Sequence, residues 1–147
     1  MRLLPRPARF ALMAVLDVAI HARGRPVSSK ELAARHELPP RRLETLLQTL
    51  VRAGILKSVR GPAGGYELAR ERRRLCVGEI VRVALRAEED EDQGQAPALL
   101  VAVLEPLIAE TEEAALARLD DITLEDLYAR AIAQGFGEKQ TASDFDI

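Results

Sequence analysis

Glycine and proline divide the first half of this chain into segments too short for anything but a small helical module followed by a hairpin. Gly24 ends the first apolar segment, Leu38-Pro39-Pro40 interrupts the second, Gly54 stops the third, and Gly61-Pro62-Ala63-Gly64-Gly65 separates two strand-like stretches. Glycine accepts left-handed backbone and proline cannot continue a helix, so each marks an element boundary. Between these breaks Phe10, Met13, Leu16, Val18, Ala19 and Ile20 recur at helical spacing, predicting a first helix over about residues 8–22. Ser28-Ser29-Lys30-Glu31 has the form of a capping box: Ser28 accepts from the third backbone amide and Glu31 reaches back, so a short second helix starts here. Pro40 suits the first turn of a third helix, and Leu43, Leu46, Leu47 and Leu50 form its inward stripe.

The opposite face of the third helix carries Arg41, Arg42, Thr45, Gln48, Thr49 and Arg52. Two short helices joined by a tight turn, the second presenting such side chains, make a helix-turn-helix able to enter a major groove. Arginine pairs bidentately with guanine and glutamine with adenine, while threonine offers a hydroxyl or a methyl. The same residues also make an ordinary solvated face, and the segment after Gly54 decides between the two. Ile55 to Arg60 and Tyr66 to Arg70 flank the glycine-rich turn as a hairpin, a wing placed directly after the recognition helix. Arg60 at its tip is a candidate for a narrow minor groove, and Gly61, Gly64 and Gly65 are candidates for close backbone approach to phosphate. Ser28, Ser29 and Lys30 are placed near phosphate as well.

Charge supports a polyanion partner. Up to Arg86 there are 18 Lys and Arg against 7 Asp and Glu; beyond it there are 3 against 16, so a small overall net charge of -2 hides a strongly basic part beside a strongly acidic one. The single cysteine, Cys76, excludes an internal disulfide framework and fits a reducing cytoplasm. The run from Phe10 to Ile20 contains Asp17 and is too short to span a bilayer, and no signal peptide or membrane partner is expected.

The wing and its flanks carry a family resemblance. Val59-Arg60-Gly61-Pro62-Ala63-Gly64-Gly65-Tyr66-Glu67-Leu68-Ala69-Arg70 resembles the wing of the winged-helix regulators that include the iron-sulfur cluster regulator (IscR) and the nitric-oxide-sensing repressor (NsrR), with Ala63 where glycine is common. Phe10-Ala11-Leu12, Leu43-Glu44, Leu46-Leu47, Val77-Gly78-Glu79-Ile80 and Ile122-Thr123-Leu124-Glu125-Asp126-Leu127 match in the family's order, over about residues 1–130. The resemblance implies a mainly α fold with a small β-hairpin wing: a winged helix-turn-helix plus a long dimerisation helix within about residues 97–119. Leu100, Leu104, Leu107, Thr111 and Ala114 step along that helix as an apolar seam, with Val103 and Ile108 beside it, although Pro106 must kink it or mark a new start. Packing within one chain is the other account of such a stripe. The expected organisation is a winged domain over 1–86, an acidic loop over 87–96, a helical dimerisation region over 97–133 and a mobile tail over 134–147.

Many members of that family hold an iron-sulfur cluster through three cysteines between wing and dimer helix. Here the region reads Arg86-Ala87-Glu88-Glu89-Asp90-Glu91-Asp92-Gln93-Gly94-Gln95, without a thiol, so no cluster is expected and neither a metal nor any other cofactor is assigned. Two readings stand for Cys76: a thiol at a helix start beside Arg72, Arg73 and Arg74, poised for redox chemistry, or a small half-buried packing residue, which is favoured. His21 and His36 lie in separate helical segments, in no ligand or catalytic pattern, and read as surface or packing residues. No nucleophile-base pair or phosphate loop suggests an enzyme. The expected function is a homodimeric, sequence-specific regulator of transcription, a repressor on a palindromic site in double-stranded DNA, with a small effector or a regulatory protein as a further partner. The alternative is a winged-helix interaction module whose acidic half docks another protein.

Overall fold

The structure is a computed structural model that describes residues 4–89 and 96–137. Helix α1 (Arg6–His21) is its floor. It buries Ala8, Ala11, Ala14, Val15 and Val18 along one face, and the small alanines let α4 (Val77–Glu89) lie close against it. Helix α2 (Ser29–His36) starts on Ser28, whose Oγ accepts from the Glu31 amide at 3.1 Å. The expected reciprocal half of the box does not form: the Glu31 carboxylate lies 3.9 Å from both Arg25 and Arg35, drawn to charge rather than to the Ser28 amide. The turn after α2 passes through Glu37, the one non-glycine residue at positive φ (52°) among those described, and the Leu38 amide donates back to the Ala33 carbonyl.

Helix α3 (Pro40–Arg52) begins at Pro40 as its sequence predicts and buries Leu43, Leu47 and Leu50. Strands β1 (Leu56–Val59) and β2 (Gly65–Leu68) pair antiparallel, with Leu56 opposite Leu68 and Val59 opposite Gly65. A 3-10 turn (Arg72–Arg74) leads into α4. After residues 96–99 a π-helical turn (Leu100–Leu104) runs directly into α5 (Glu105–Asp120), and α6 (Leu124–Ala133) follows, capped by Thr123 and Asp126 in a complete reciprocal box. Among the described residues no helix is long and apolar enough to cross a membrane.

Two features differ from the sequence expectation and one follows it. Helix α4 continues through Ala87 to Glu89, so the acidic segment starts as helix; Asp90 to Gln95 lie outside the described residues. Pro106 falls in the first turn of α5, the new start that the sequence allows for, and the wide turn before it, closed by the Glu105 amide on the Leu100 carbonyl, makes room for a ring that has no N–H to donate. Helix α6 does not extend the arm. It folds back onto α1 and the 3-10 turn, and Leu124 and Leu116 join the same buried cluster as Leu32, Leu47, Leu50, Ile55, Leu75 and Ile80. The core therefore unites the basic half with the end of the acidic half, because apolar pattern rather than charge decides what is buried. Residues 134–137 of the expected tail turn back so that Gly137 sits beside Ile20 and Ile132; the remainder of the tail is outside the described residues.

Gly78 shows how tightly the acidic half is seated. A Cβ there would overlap Asp120, whose carboxylate receives Arg82 at 2.8 Å while Glu113 receives the same guanidinium at 3.2 Å on each oxygen. Those two carboxylates hold Arg82 well above the ordinary arginine value.

Candidate nucleic-acid interface

A helix pair can read DNA only if it is held in a fixed orientation on the rest of its domain, and here a buried carboxylate fixes α2 against α1. Asp17, on the inner side of α1, is 3% exposed. It accepts from Arg35 Nε and Nη2 of α2 at 2.8 Å each and contacts His36 Nε2 at 2.5 Å; His21 Nε2 stands 3.9 Å away. The hydrogen bond to Asp17 raises Arg35, while burial lowers His21 against the pull of the Asp17 charge. Both histidines are thus half-buried packing residues, as the sequence suggests, and they share one cluster centred on an acid. The signal was faint: a lone Asp in an apolar helix, with partners 18 and 19 residues away.

On α3 the side chains Arg41, Arg42, Thr45 and Gln48 are exposed and Thr49 is half-buried. Thr45 Oγ1 donates to the Arg41 carbonyl at 3.1 Å and Thr49 Oγ1 to the Thr45 carbonyl at 3.0 Å. Both hydroxyl protons are therefore spent within the helix, leaving methyl groups and lone pairs to face outward. Arg41, Arg42, Thr45 and Thr49 also wall a groove of about 530 Å³ with Phe10 of α1 and Ala84 of α4, whereas Gln48 stands outside it. Pro40 and Lys30 are exposed and Ser28 and Ser29 half-buried at the two helix starts. Ser28 Oγ is already engaged as the cap of α2.

The wing is tied to this pair by a contact that the sequence analysis missed. Val27, immediately before the α2 cap, pairs with Tyr66 as a third strand-like partner: its amide donates to the Tyr66 carbonyl at 3.0 Å and the Tyr66 amide returns the bond at 2.7 Å. Burial, with help from the Glu44 carboxylate of α3, raises the Tyr66 phenol. A Cβ on Gly65 would overlap the Val27 carbonyl, and one on Gly64 would overlap the Val59 carbonyl. Those two glycines are accounted for by packing, Gly64 within the hairpin and Gly65 against the strand-like Val27. Gly61, at φ 114° with open space around it, and Arg60 are exposed at the tip.

Beyond the core, residues 96–114 are exposed, with Leu100 half-buried. Val103, Leu104, Leu107 and Ile108 all face solvent, Leu107 at 60%, and Thr111 Oγ1 donates to the Leu107 carbonyl. Leu99 (69%) and Val101 join them, although a strict four-three stripe omits both; the π-helical turn changes the residues per turn and widens the seam. Cys76 is half-buried and lies at an isolated bridge with Thr123. Its Sγ is 4.0 Å from Asp120 Oδ1, while Arg72 pairs with Glu125 and Arg73 and Arg74 with Glu71, so the expected basic neighbours are engaged elsewhere. Among the described residues no three His, Cys, Asp or Glu side chains form a group able to hold a metal.

The model of the Rrf2 family, described as "Iron-dependent Transcriptional regulator", matches residues 4–130. The chain is similar to "Protein rrf2" of Nitratidesulfovibrio vulgaris, 32% identical over 124 residues that make up 82% of this chain and 83% of that protein. It is similar to the HTH-type transcriptional regulator IscR of Vibrio atlanticus, 40% identical over 73 residues, half of this chain but 42% of that one. Among solved structures, T. potens IscR superposes with a TM-score of 0.67 at 34% identity, covering 87% of both chains. CymR, described as the global cysteine regulator of B. subtilis, gives 0.67 at 28% identity over 88% of this chain and 98% of that one.

Iron in the family's description calls for a donor set. A cluster is held by several thiolates, whereas this chain has one cysteine, and that one faces a carboxylate. The residues present do not fit a cluster held within one chain.

Proposed function

The chain belongs to the Rrf2 family of transcriptional regulators, and on that premise we propose that it represses transcription as a homodimer reading a palindromic operator without an iron-sulfur cluster. The observation that supports this best is the exposed face of α3, Arg41, Arg42, Thr45 and Gln48, in a helix pair whose first member, α2, is tied to the wing by the Val27–Tyr66 pairing and to α1 by Asp17. In this reading Arg41, Arg42 and Gln48 supply hydrogen bonds to base edges, with Thr45 and Thr49 offering methyl contacts. Pro40 lets the backbone enter the groove at the helix start, and Ser29 and Lys30, with the Ser28 backbone, meet phosphate. Arg60 and Gly61 carry the wing to the adjacent minor groove. Gly64 and Gly65 act indirectly, Gly64 by keeping the hairpin closed and Gly65 by letting it lie against Val27.

Leu100, Val103, Leu104, Leu107, Ile108 and Thr111 form the seam against a second copy. Two reading heads then meet half-sites about 34 Å or a multiple apart, which a two-fold protein requires of its operator. A dimer seated over a promoter excludes the transcription machinery, hence repression.

Fluorescence anisotropy on the duplex upstream of the gene, against a shuffled duplex, over a range of salt concentrations tests this reading. Tight binding that weakens steeply with salt while keeping its preference for the natural duplex supports it. Weak, equal binding to both would overturn it in favour of a protein-docking module.

A further inference from the structure

On the other side of the wing, a cleft of about 950 Å³ opens between the end of α1, the base of β2 and the start of α6. We propose that this cleft is an effector site for a small organic carboxylate with an apolar body. Its effect on operator binding rests on the DNA-reading function proposed above; the ligand site itself does not.

The cleft combines an apolar wall with an unbalanced charge. Ala22 and Leu68, both half-buried, supply apolar surface, with the buried Val18 and Ala19 behind them. Among the described residues the ionised groups around it are matched, with one exception. Arg70 pairs with Glu79, Arg72 with Glu125, Arg73 with Glu71, and Glu67 with Lys57. Arg23 instead donates to the neutral hydroxyl of Tyr128 at 2.7 Å, so its charge is met by no carboxylate among the described residues. The Tyr128 ring is in turn covered by the Arg72 guanidinium, 3.6 Å from its centroid, which fixes the hydroxyl that orients Arg23. A fork of N–H donors held in place beside apolar surface, with one positive charge uncompensated, suits one carboxylate and a short hydrocarbon or ring. A dianion such as a phosphate monoester fits less well, because Glu67, Glu71 and Glu125 stand around the same opening.

The cleft is also mechanically placed to act on DNA reading. Arg70, part of its wall, donates from Nε to the Gly54 carbonyl at 3.3 Å, at the joint where α3 passes into β1. A ligand that shifts Arg70 or the exit of β2 changes how the wing sits relative to the recognition helix, and so biases two arrangements of the reading head.

The test is an NMR amide titration of the full chain with hexanoate, using hexylamine and 1-hexanol as probes of charge and of apolar binding alone, together with operator anisotropy in the same buffers. Saturable hexanoate shifts at Ala22, Leu68 and Ala69 are expected. In Arg23→Gln the affinity falls about tenfold, and Arg23→Lys restores part of it. Saturating hexanoate changes operator affinity by about fivefold in the parent and leaves Arg23→Gln unaffected. The proposal is overturned by unsaturated or absent shifts, by equal binding of hexylamine or 1-hexanol, by an Arg23→Gln titration identical to the parent's, or by saturation without a change in operator affinity. A protein that prefers no natural duplex would lose the effector role together with the repressor reading, and the NMR titration would show that the DNA reading failed and not the ligand site.

Discussion

The Asp17 carboxylate of α1 accepts one hydrogen bond on each oxygen from the Arg35 guanidinium of α2, both at 2.8 Å. A bidentate pair fixes orientation as well as distance, so the first helix of the reading pair cannot roll on the floor helix without breaking it. Asp17→Asn removes the charge and one acceptor while leaving Arg35 and His36 in place. Because Arg35 keeps partial access to water, the cost falls at the low end for a broken buried pair, about 3 kcal/mol, read by urea denaturation. A loss below about 1 kcal/mol would show that the pair does not hold α2.

This pairing marks the limit of what the sequence made legible. Local signals carried the first half: Pro40 and Gly54 bound α3, the leucine stripe buries Leu43, Leu47 and Leu50, and the glycine-rich run makes the hairpin. Each of those rests on backbone preference or helical periodicity within a few residues. Asp17 with His36, Val27 with Tyr66, and Leu124 with the winged core are set by three-dimensional packing between elements that no local period connects. Splitting the chain by charge placed a boundary where the core has none, since Arg82 in the basic half is held by Glu113 and Asp120 of the acidic half. The wide turn before Pro106 likewise has no sequence signature beyond the proline itself.

Gly65 tests the link between wing and helix pair. Gly65→Ala puts a methyl group against the Val27 carbonyl, and either the strand pairing or the hairpin register must give way. Stability is expected to fall by about 1–3 kcal/mol, with faster hydrogen exchange of the Val27 and Tyr66 amides than in the parent. Unchanged exchange at both amides would mean that the contact yields without cost.

His21 gives the fold a pH dependence of known sign. Burial holds its folded-state value below the ordinary 6.5, so as pH falls the unfolded chain takes up the proton first. The contribution of neutral His21 is therefore complete above pH 6.5 and is lost progressively as pH drops from there towards the folded-state value. His21→Gln removes that contribution, and its melting temperature should decline less than the parent's between about pH 7.5 and about pH 5.5. Parallel declines would show that His21 is not the group responsible.

Arg60 separates DNA contact from folding. It is exposed beyond the last paired residue of β1, and among the described residues no hydrogen bond or ion pair holds it. Arg60→Ala should leave the unfolding midpoint unchanged while weakening operator binding by about 1–3 kcal/mol and lowering the salt slope by roughly one unit. An affinity equal to the parent's would remove Arg60 from the proposed interface.

The exposed arm makes the strongest demand for a second copy. Leu99, Val101, Val103, Leu104, Leu107 and Ile108 stand in water on one continuous stretch, while α5 meets the core towards its far end, through Leu116, Leu119 and the carboxylates around Arg82. Burying each such side chain contributes about 1.5–3 kcal/mol, enough in sum to offset the cost of association. Replacing Leu104 and Leu107 together with glutamate leaves the buried cluster untouched, so the chain should fold as before. Sedimentation equilibrium should give the 16.2 kDa single chain for this variant and twice that mass for the parent. Operator affinity should fall steeply at the same time, because each half-site then binds its reading head alone instead of through a linked pair. A monomeric parent, or a variant that still sediments as a dimer, would place the contact between copies elsewhere and leave the apolar arm to another partner.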